Sequence, residues 1–272
     1  MLTDVDLKQD VQQFWNESSC GEVYASGPSQ AAYYESHSRI RYQLEPYIVE
    51  FAKFHEGANK DVLEVGVGMG ADHAEWAKSG PRYLAGIDLT SRAVEHTQTR
   101  LAAGGLESDV RLADAEALPF DDETFDIVYS WGVLHHSPDP PRTIREIHRV
   151  LRPGGMARVM LYHKYSLTGY MLWTRYALLA GRLFRSLRDI YASHLESPGT
   201  KAYSARETRS MFSQFSRVAI RHQLSFGDLL LGEAGQRHQG ALLTLARRFW
   251  PRWFLSRALK NQGLDLLIEA SK

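Results

Sequence analysis

Short apolar runs alternate with amphipathic stretches through the middle of the chain. Val62, Leu63 and Val65 make one run, Tyr83 to Ile87 a second, Val110 to Leu112 a third, Phe125 to Ser130 a fourth and Met156 to Leu161 a fifth. Runs this short, bounded by glycine, proline or aspartate, predict buried strands. Helical patterns fill the gaps. One follows the glycines at 66–70 and stops at Gly80-Pro81. Another covers Arg92 to Leu101 behind a cap at Thr90 or Ser91 and ends at Gly104-Gly105. A third covers Pro141 to Leu151, after which Arg152-Pro153-Gly154-Gly155 reads as a tight turn. Strand–helix alternation predicts an α/β fold, a parallel sheet with helices on both faces. Ligands in such sheets sit at the carboxyl ends of the strands. That places the loops after Val65, Ile87, Leu112, Ser130 and Leu161 on one rim.

The pattern differs on either side. Residues 4–16 predict an amphipathic helix around Val5, Val11, Phe14 and Trp15. Residues 29–56 predict an aromatic-rich helix, interrupted at Pro46 and stopped at Gly57. Residues 1–58 are thus expected to form a helical cover ahead of a core at 59–165. Beyond it, 166–192 predicts one long amphipathic helix or two, and Ser204 to Phe215 a helix whose Ser204 and Glu207 have capping-box spacing. Arg217 to Leu224 reads as a sixth strand, 227–262 as basic helix, and 263–270 as a closing strand. Residues 166–272 would then be late helical insertions and the closing strands of the same domain, completing a seven-stranded sheet.

Composition changes the picture in three places. One cysteine, Cys20, excludes an internal disulfide and fits a reducing, cytoplasmic setting. The first ten residues carry acids and no long apolar run, unlike a signal peptide, and no apolar stretch reaches membrane-spanning length. The net charge of zero hides a division: residues 1–160 hold 15 Lys and Arg against 25 Asp and Glu, residues 161–272 hold 17 against 7.

The stretch Asp61 to His73 carries the first chemistry. Gly66, Gly68 and Gly70 follow a strand and open a helix, as a nucleotide loop requires. Glu64 and Asp72 add negative charge where a pyrophosphate would have to sit. A ligand with an amino-acid tail and an adenosine but no phosphates, such as S-adenosylmethionine, suits the loop better.

Four stretches in order, VLEVGVGMG (62–70), GIDLT (86–90), DAEALPFDDETFDIVYSWGVLHH (114–136) and LRPGG (151–155), resemble the class I S-adenosylmethionine-dependent methyltransferases, most of all the ubiquinone/menaquinone-biosynthesis type and related small-molecule enzymes. The resemblance covers about residues 60–161. It implies a Rossmann-like, mostly parallel sheet, with S-adenosylmethionine as cofactor and S-adenosylhomocysteine as product. It implies that Glu64, Gly66, Gly68 and Gly70 surround the methionine moiety. Asp88 would accept from the ribose hydroxyls and Leu89 pack on the adenine. Asp114 would accept from the adenine amino group, with Ala115 and Glu116 beside the ring. Ser130 and Trp131 would lie near the methionine. LRPGG would be a structural turn.

Methyl transfer is a displacement at a sulfonium carbon, so alignment matters most and a base only where the acceptor must lose a proton. His135, His136, Tyr162, His163 and Lys164 lie on the acceptor side, and His136, Tyr162 and His163 are the expected catalytic groups. No metal is expected. Tyr33, Tyr34, Arg39 and Arg41 could close over the methionine carboxylate. The basic, aromatic late helices suit an anionic small-molecule acceptor, an acidic membrane surface, or an acidic partner such as a second copy in a homodimer. Nucleic acid is disfavoured by the acidic core. Two other readings stay open: an NAD-dependent oxidoreductase, and a non-catalytic S-adenosylmethionine-binding protein.

Overall fold

A computed structural model describes residues 4–231, 248 and 250–272. Seven strands form one sheet: β1 (Asp61–Val65), β2 (Tyr83–Asp88), β3 (Asp109–Leu112), β4 (Phe125–Trp131), β5 (Leu151–Tyr162), β6 (Arg217–Gln223) and β7 (Asp265–Ser271). Their spatial order is β3-β2-β1-β4-β5-β7-β6, and only β7 runs antiparallel to its neighbours. The order reverses direction between β1 and β4, which opens a crevice at their carboxyl ends.

Ten α-helices are described: α1 (Asp4–Glu17), α2 (Gln30–Leu44), α3 (Tyr47–Ala52), α4 (Ala71–Lys78), α5 (Ser91–Ala103), α6 (Pro140–Val150), α7 (Leu167–Trp173), α8 (Leu187–His194), α9 (Ala205–Met211) and α10 (Arg252–Ala258). The strands' two-residue period sorts the core into two layers. Leu63, Val65, Val128, Val159 and Leu161 pack with Ile144 and Ile147 of α6 and with Phe212. Val62, Tyr129, Trp131, Met160 and Tyr162 pack with Ile48 and Phe51 of α3 and Trp76 of α4.

One expectation needs correction, and two others resolve in part. LRPGG is no simple turn: β5 begins at Leu151 and carries the segment as a wide irregularity. Phe125 pairs with Leu151 while Ile127 pairs with Met156, so β5 holds three extra residues there. Gly154 (φ 78°) makes the excursion possible, and backbone bonds between 154–155 and Lys272 hold it in the sheet. Residues 166–192 form two helices, the second of the two expected alternatives. α7 loosens into a π-turn at Thr174–Leu178, and α8 starts afresh behind a Ser186/Asp189 capping box. Nearly half of the stretch expected as helix over 227–262 lies outside the described residues; within them, Arg248, α10 and the 3-10 turn Lys260–Gln262 are helical. Pro46 does divide the prelude helix, between α2 and α3, and Ser204 and Glu207 do form a capping box.

Candidate active site

A cavity of about 880 Å³ opens at the carboxyl rim, on the scale of sites for a cofactor with its substrate. Backbone conformation builds one end. After β1 the chain reverses through Gly66 (φ 85°) and Gly68 (φ 51°), both lining the cavity. A β-carbon on Gly66 would strike Val133, whereas one on Gly68 would meet nothing within 4 Å and project into open space. The loop therefore presents bare backbone to a ligand. Gly70 does not line the cavity. Its left-handed conformation starts α4, and it packs on Thr97.

Asp88 ends β2 on the cavity wall. Its Oδ2 accepts from the Gly68 amide (3.1 Å), and its Oδ1 from the amide and hydroxyl of Thr90 (3.0 and 2.8 Å). Burial raises its carboxyl above the usual range, and those hydrogen bonds oppose the rise. Leu89, Asp114, Ala115, Glu116 and Trp131 also line the cavity.

The two charges read from the glycine loop are both compensated. The Ser108 hydroxyl donates to the Leu84 carbonyl (2.9 Å), so it accepts from His73 Nε2 (2.8 Å). That leaves His73 Nδ1 as an acceptor facing Glu64 Oε2 at 3.0 Å, and the intervening proton belongs to Glu64. Burial, with the Asp72 charge adding to it, pushes Glu64 well above the carboxylate range; burial brings His73 down to about 3. Glu64 is thus a neutral acid. Asp72 is buried and pairs with Arg41 through two hydrogen bonds (3.0 and 2.7 Å), with the Tyr42 and Tyr129 hydroxyls completing its shell. The electrostatic case against a pyrophosphate is weaker than the residue types alone suggest.

Other expected site residues lie elsewhere. Ser130 is fully buried and donates to the Val65 carbonyl (2.8 Å), tying β4 to β1. His163 does not line the cavity; its Nδ1 meets the Gly263 carbonyl (3.2 Å), and its ring packs against His222. The cause is strand alternation: Trp131 and Tyr162 face the α3 layer, so Ser130 and His163 face the other. Lys164 pairs with Glu207, and Tyr34 with His96. Tyr33, Tyr34 and Arg39 do not line the cavity; Arg41 does, but its guanidinium is committed to Asp72.

The contacts of α1 are absent from the sequence expectations. Lys8 donates to Asp114 (2.6 Å) and Glu116 (2.7 Å), Gln12 donates to the Leu89 carbonyl (2.8 Å), and Trp15 packs edge-on against His136. Only the amphipathic pattern of 4–16 signalled that this helix had a docking face.

The other end of the cavity lies under α7. Met160, Leu167, Met171, Leu172, Phe226 and Trp250 make it largely apolar. His136, Tyr162 and Glu196 stand between the two ends: Tyr162 donates to Glu196 (2.9 Å), and His136 Nδ1 meets Ser197 (2.8 Å). Glu45 and Asp265 are nearby acids, both raised chiefly by burial.

The model of the family described as "Methyltransferase domain" matches residues 63–159. The match spans β1 through most of β5 and contains every carboxyl-rim loop of the cofactor end. The core is a class I S-adenosylmethionine-dependent methyltransferase domain.

Several curated relatives of this methyltransferase domain have named activities, two of which follow. The 27-O-demethylrifamycin SV methyltransferase of Amycolatopsis mediterranei is 35% identical over 100 residues, 36% of this chain and 37% of its own. The phthiotriol/phenolphthiotriol dimycocerosates methyltransferase of Mycobacterium leprae is 40% identical over 99 residues, 36% of each chain. The chain thus spans under two fifths of either relative's length. The solved structure of SpnF, a (4+2)-cyclase, shares the fold at TM-score 0.57 and 17% identity, over 99% of this chain and 96% of that one. The domain's cofactor is S-adenosylmethionine, and the cavity fits it: a bare glycine cradle at Gly68, then carboxylate acceptors at Asp88 and Asp114 on the cavity wall. No helix among the described residues is long and apolar enough to cross a membrane.

Proposed function

We propose that this chain transfers the methyl group of S-adenosylmethionine to a bulky, apolar small molecule. The observation that carries the reading is the two-ended cavity, a glycine-and-carboxylate cradle continuous with an apolar chamber under α7. The two relatives described above are named for a demethylrifamycin and for phthiotriol/phenolphthiotriol dimycocerosates, and the stretch they share with this chain covers the cofactor core and not the chamber. Asp88 would take the ribose hydroxyls, Leu89 and Ala115 the adenine faces, Asp114 the adenine amino group, and Gly66, Gly68, Glu64 and Trp131 the methionine end. Gly70 and Ser130 shape that surface from behind. Lys8 and Gln12 tie α1 across the adenine loops, so residues 1–58 would act as the cover.

When bound, the cofactor supplies an electrophilic methyl on a sulfonium with a neutral leaving group, so the protein's task is alignment in a dry site. Tyr162, oriented by Glu196, and His136, oriented by Ser197, face the space where the acceptor's nucleophile would lie. Among the described residues, Glu45, Glu196 and Asp265 line the cavity together with Arg41 and Arg175. The fold alone does not dictate methyl transfer.

Calorimetry with S-adenosylmethionine tests the cofactor site. Asp88→Ala should weaken binding at least tenfold; unchanged affinity refutes the ribose assignment. Release of labelled methyl to apolar acceptors separates an enzyme from a binder, and tight cofactor binding with no transfer to any of them favours the binder.

A further inference from the structure

We propose that His135, His136 and Glu196 form a divalent-cation site of the zinc type, with its open face toward the acceptor chamber. The idea rests on the reading of that chamber as the acceptor site, and it departs from the expectation that no metal is present.

The first observation is an unexplained polar group. His135 is fully buried, yet neither ring nitrogen has a hydrogen-bond partner among the described residues. A neutral imidazole always presents one N–H, and burying that unpaired is costly. His136 Nε2 is also buried without a hydrogen bond. A buried imidazole with both nitrogens unpartnered, next to one whose Nε2 has only a carboxylate contact, is unusual where most buried polar atoms are satisfied.

The second observation is their geometry. One ligand atom from each of His135, His136 and Glu196 can be chosen so that all lie within 4.8 Å of one another. His136 Nε2 and Glu196 Oε2 are 3.3 Å apart. Zinc bonds of about 2.0–2.1 Å in a tetrahedron put neighbouring ligand atoms about 3.3–3.4 Å apart. That edge is therefore already in place, and His135 needs a shift of at most about 1.5 Å to complete a His₂Glu set.

The surroundings match. His136 Nδ1 meets the Ser197 hydroxyl at 2.8 Å, the outer-shell bond that fixes a ligating imidazole with Nε2 free. Tyr162 stacks on His135 at 3.9 Å between centroids and donates to Glu196, orienting two of the three ligands. Lys201 donates its ammonium to the Ser137 carbonyl (2.7 Å). His136, Glu196 and Tyr162 all line the cavity, so a fourth position would face an acceptor oxygen or nitrogen. Three protein ligands with one open position is the pattern of catalytic zinc sites.

The test uses tag-free full-length protein, stripped with a chelator and titrated with Co²⁺ and, by competition with a chromophoric chelator, with Zn²⁺. We expect one equivalent bound, visible d–d absorption from cobalt, and at least tenfold weaker binding in Glu196→Gln and in His135→Asn. Glu196 is partly exposed, so its variant should fold even where the buried His135 variant does not; circular dichroism checks both. S-adenosylmethionine calorimetry runs in parallel. No retained metal in protein that binds the cofactor normally overturns the site, leaving a water-filled cluster and an intact cofactor reading. Equal metal affinity in Glu196→Gln also overturns it. Metal binding without cofactor binding supports the site and sinks the cofactor reading instead.

Discussion

Replacing Arg41 by methionine would leave the Asp72 carboxylate buried without its cation. Asp72 accepts four hydrogen bonds, two from Arg41 and one each from Tyr42 and Tyr129. Its side chain is 3% exposed and that of Arg41 18%. Removing one partner of a buried pair costs about 3–5 kcal/mol. The two remaining hydroxyls and the nearby cavity place this case at the low end, about 3 kcal/mol, or a fall in Tm of about 6–12 °C for a chain this size. The pH dependence is the sharper signature. Despite burial, Arg41 and the hydroxyls hold Asp72 below its ordinary value. In the wild type its ionised form therefore contributes stability above the unfolded pKa of about 3.9, lost as pH falls through the depressed folded value. In Arg41→Met burial dominates and the folded pKa rises above the unfolded one. The deficit is then full above that raised value and shrinks as pH falls through it. Urea unfolding of both proteins from pH 4.5 to 7.5 should show the gap narrowing toward acid. Adding Asp72→Asn should recover at least half of it. A deficit under about 1 kcal/mol, or one that is flat with pH, would refute an uncompensated charge as its source.

Gly68→Ala should cost about 1 kcal/mol, the left-handed backbone penalty, while lowering S-adenosylmethionine affinity at least tenfold, because its methyl would enter the cavity; equal affinity would mean that space is not the cofactor's. Ser130→Ala should lose about 1–2 kcal/mol with the Val65 bond and keep cofactor affinity within twofold; a large affinity loss would return Ser130 to the binding surface.

All five strand cores from Val62 to Leu161 and the rim they define were legible, because short apolar runs between glycines and prolines have few other solutions. The rim positions of Gly66, Gly68, Asp88 and Asp114 were legible because they follow from backbone turns and strand ends. The alternation that puts Tyr162 in the cavity and His163 behind the sheet was present in the sequence. Trp131 and Tyr162 share a parity that Ser130 and His163 oppose, once β4 and β5 are aligned in register. The neutralisation of Glu64 was not legible: it depends on His73 and Ser108 meeting across 35 residues. Nor was the link from Lys8 to Asp114, since a lysine on a helix's polar face carries no mark of its distant partner. The three extra residues at the start of β5 resemble a turn in sequence because Pro153 and Gly154 mark turns and bulges alike.

β7 follows β6 in sequence yet lies between β5 and β6 in the sheet. A chain emerging from the ribosome can pair β1, β2, β3, β4 and β5 before that strand exists. β6, whose one sheet neighbour is β7, must wait with neither edge matched. The wall carrying Asp265 and closing the chamber beside Tyr162 is thus assembled last. Synthesis order separates the two halves of the cavity in time: the glycine-and-carboxylate end can take shape on a nascent chain that has no apolar chamber yet.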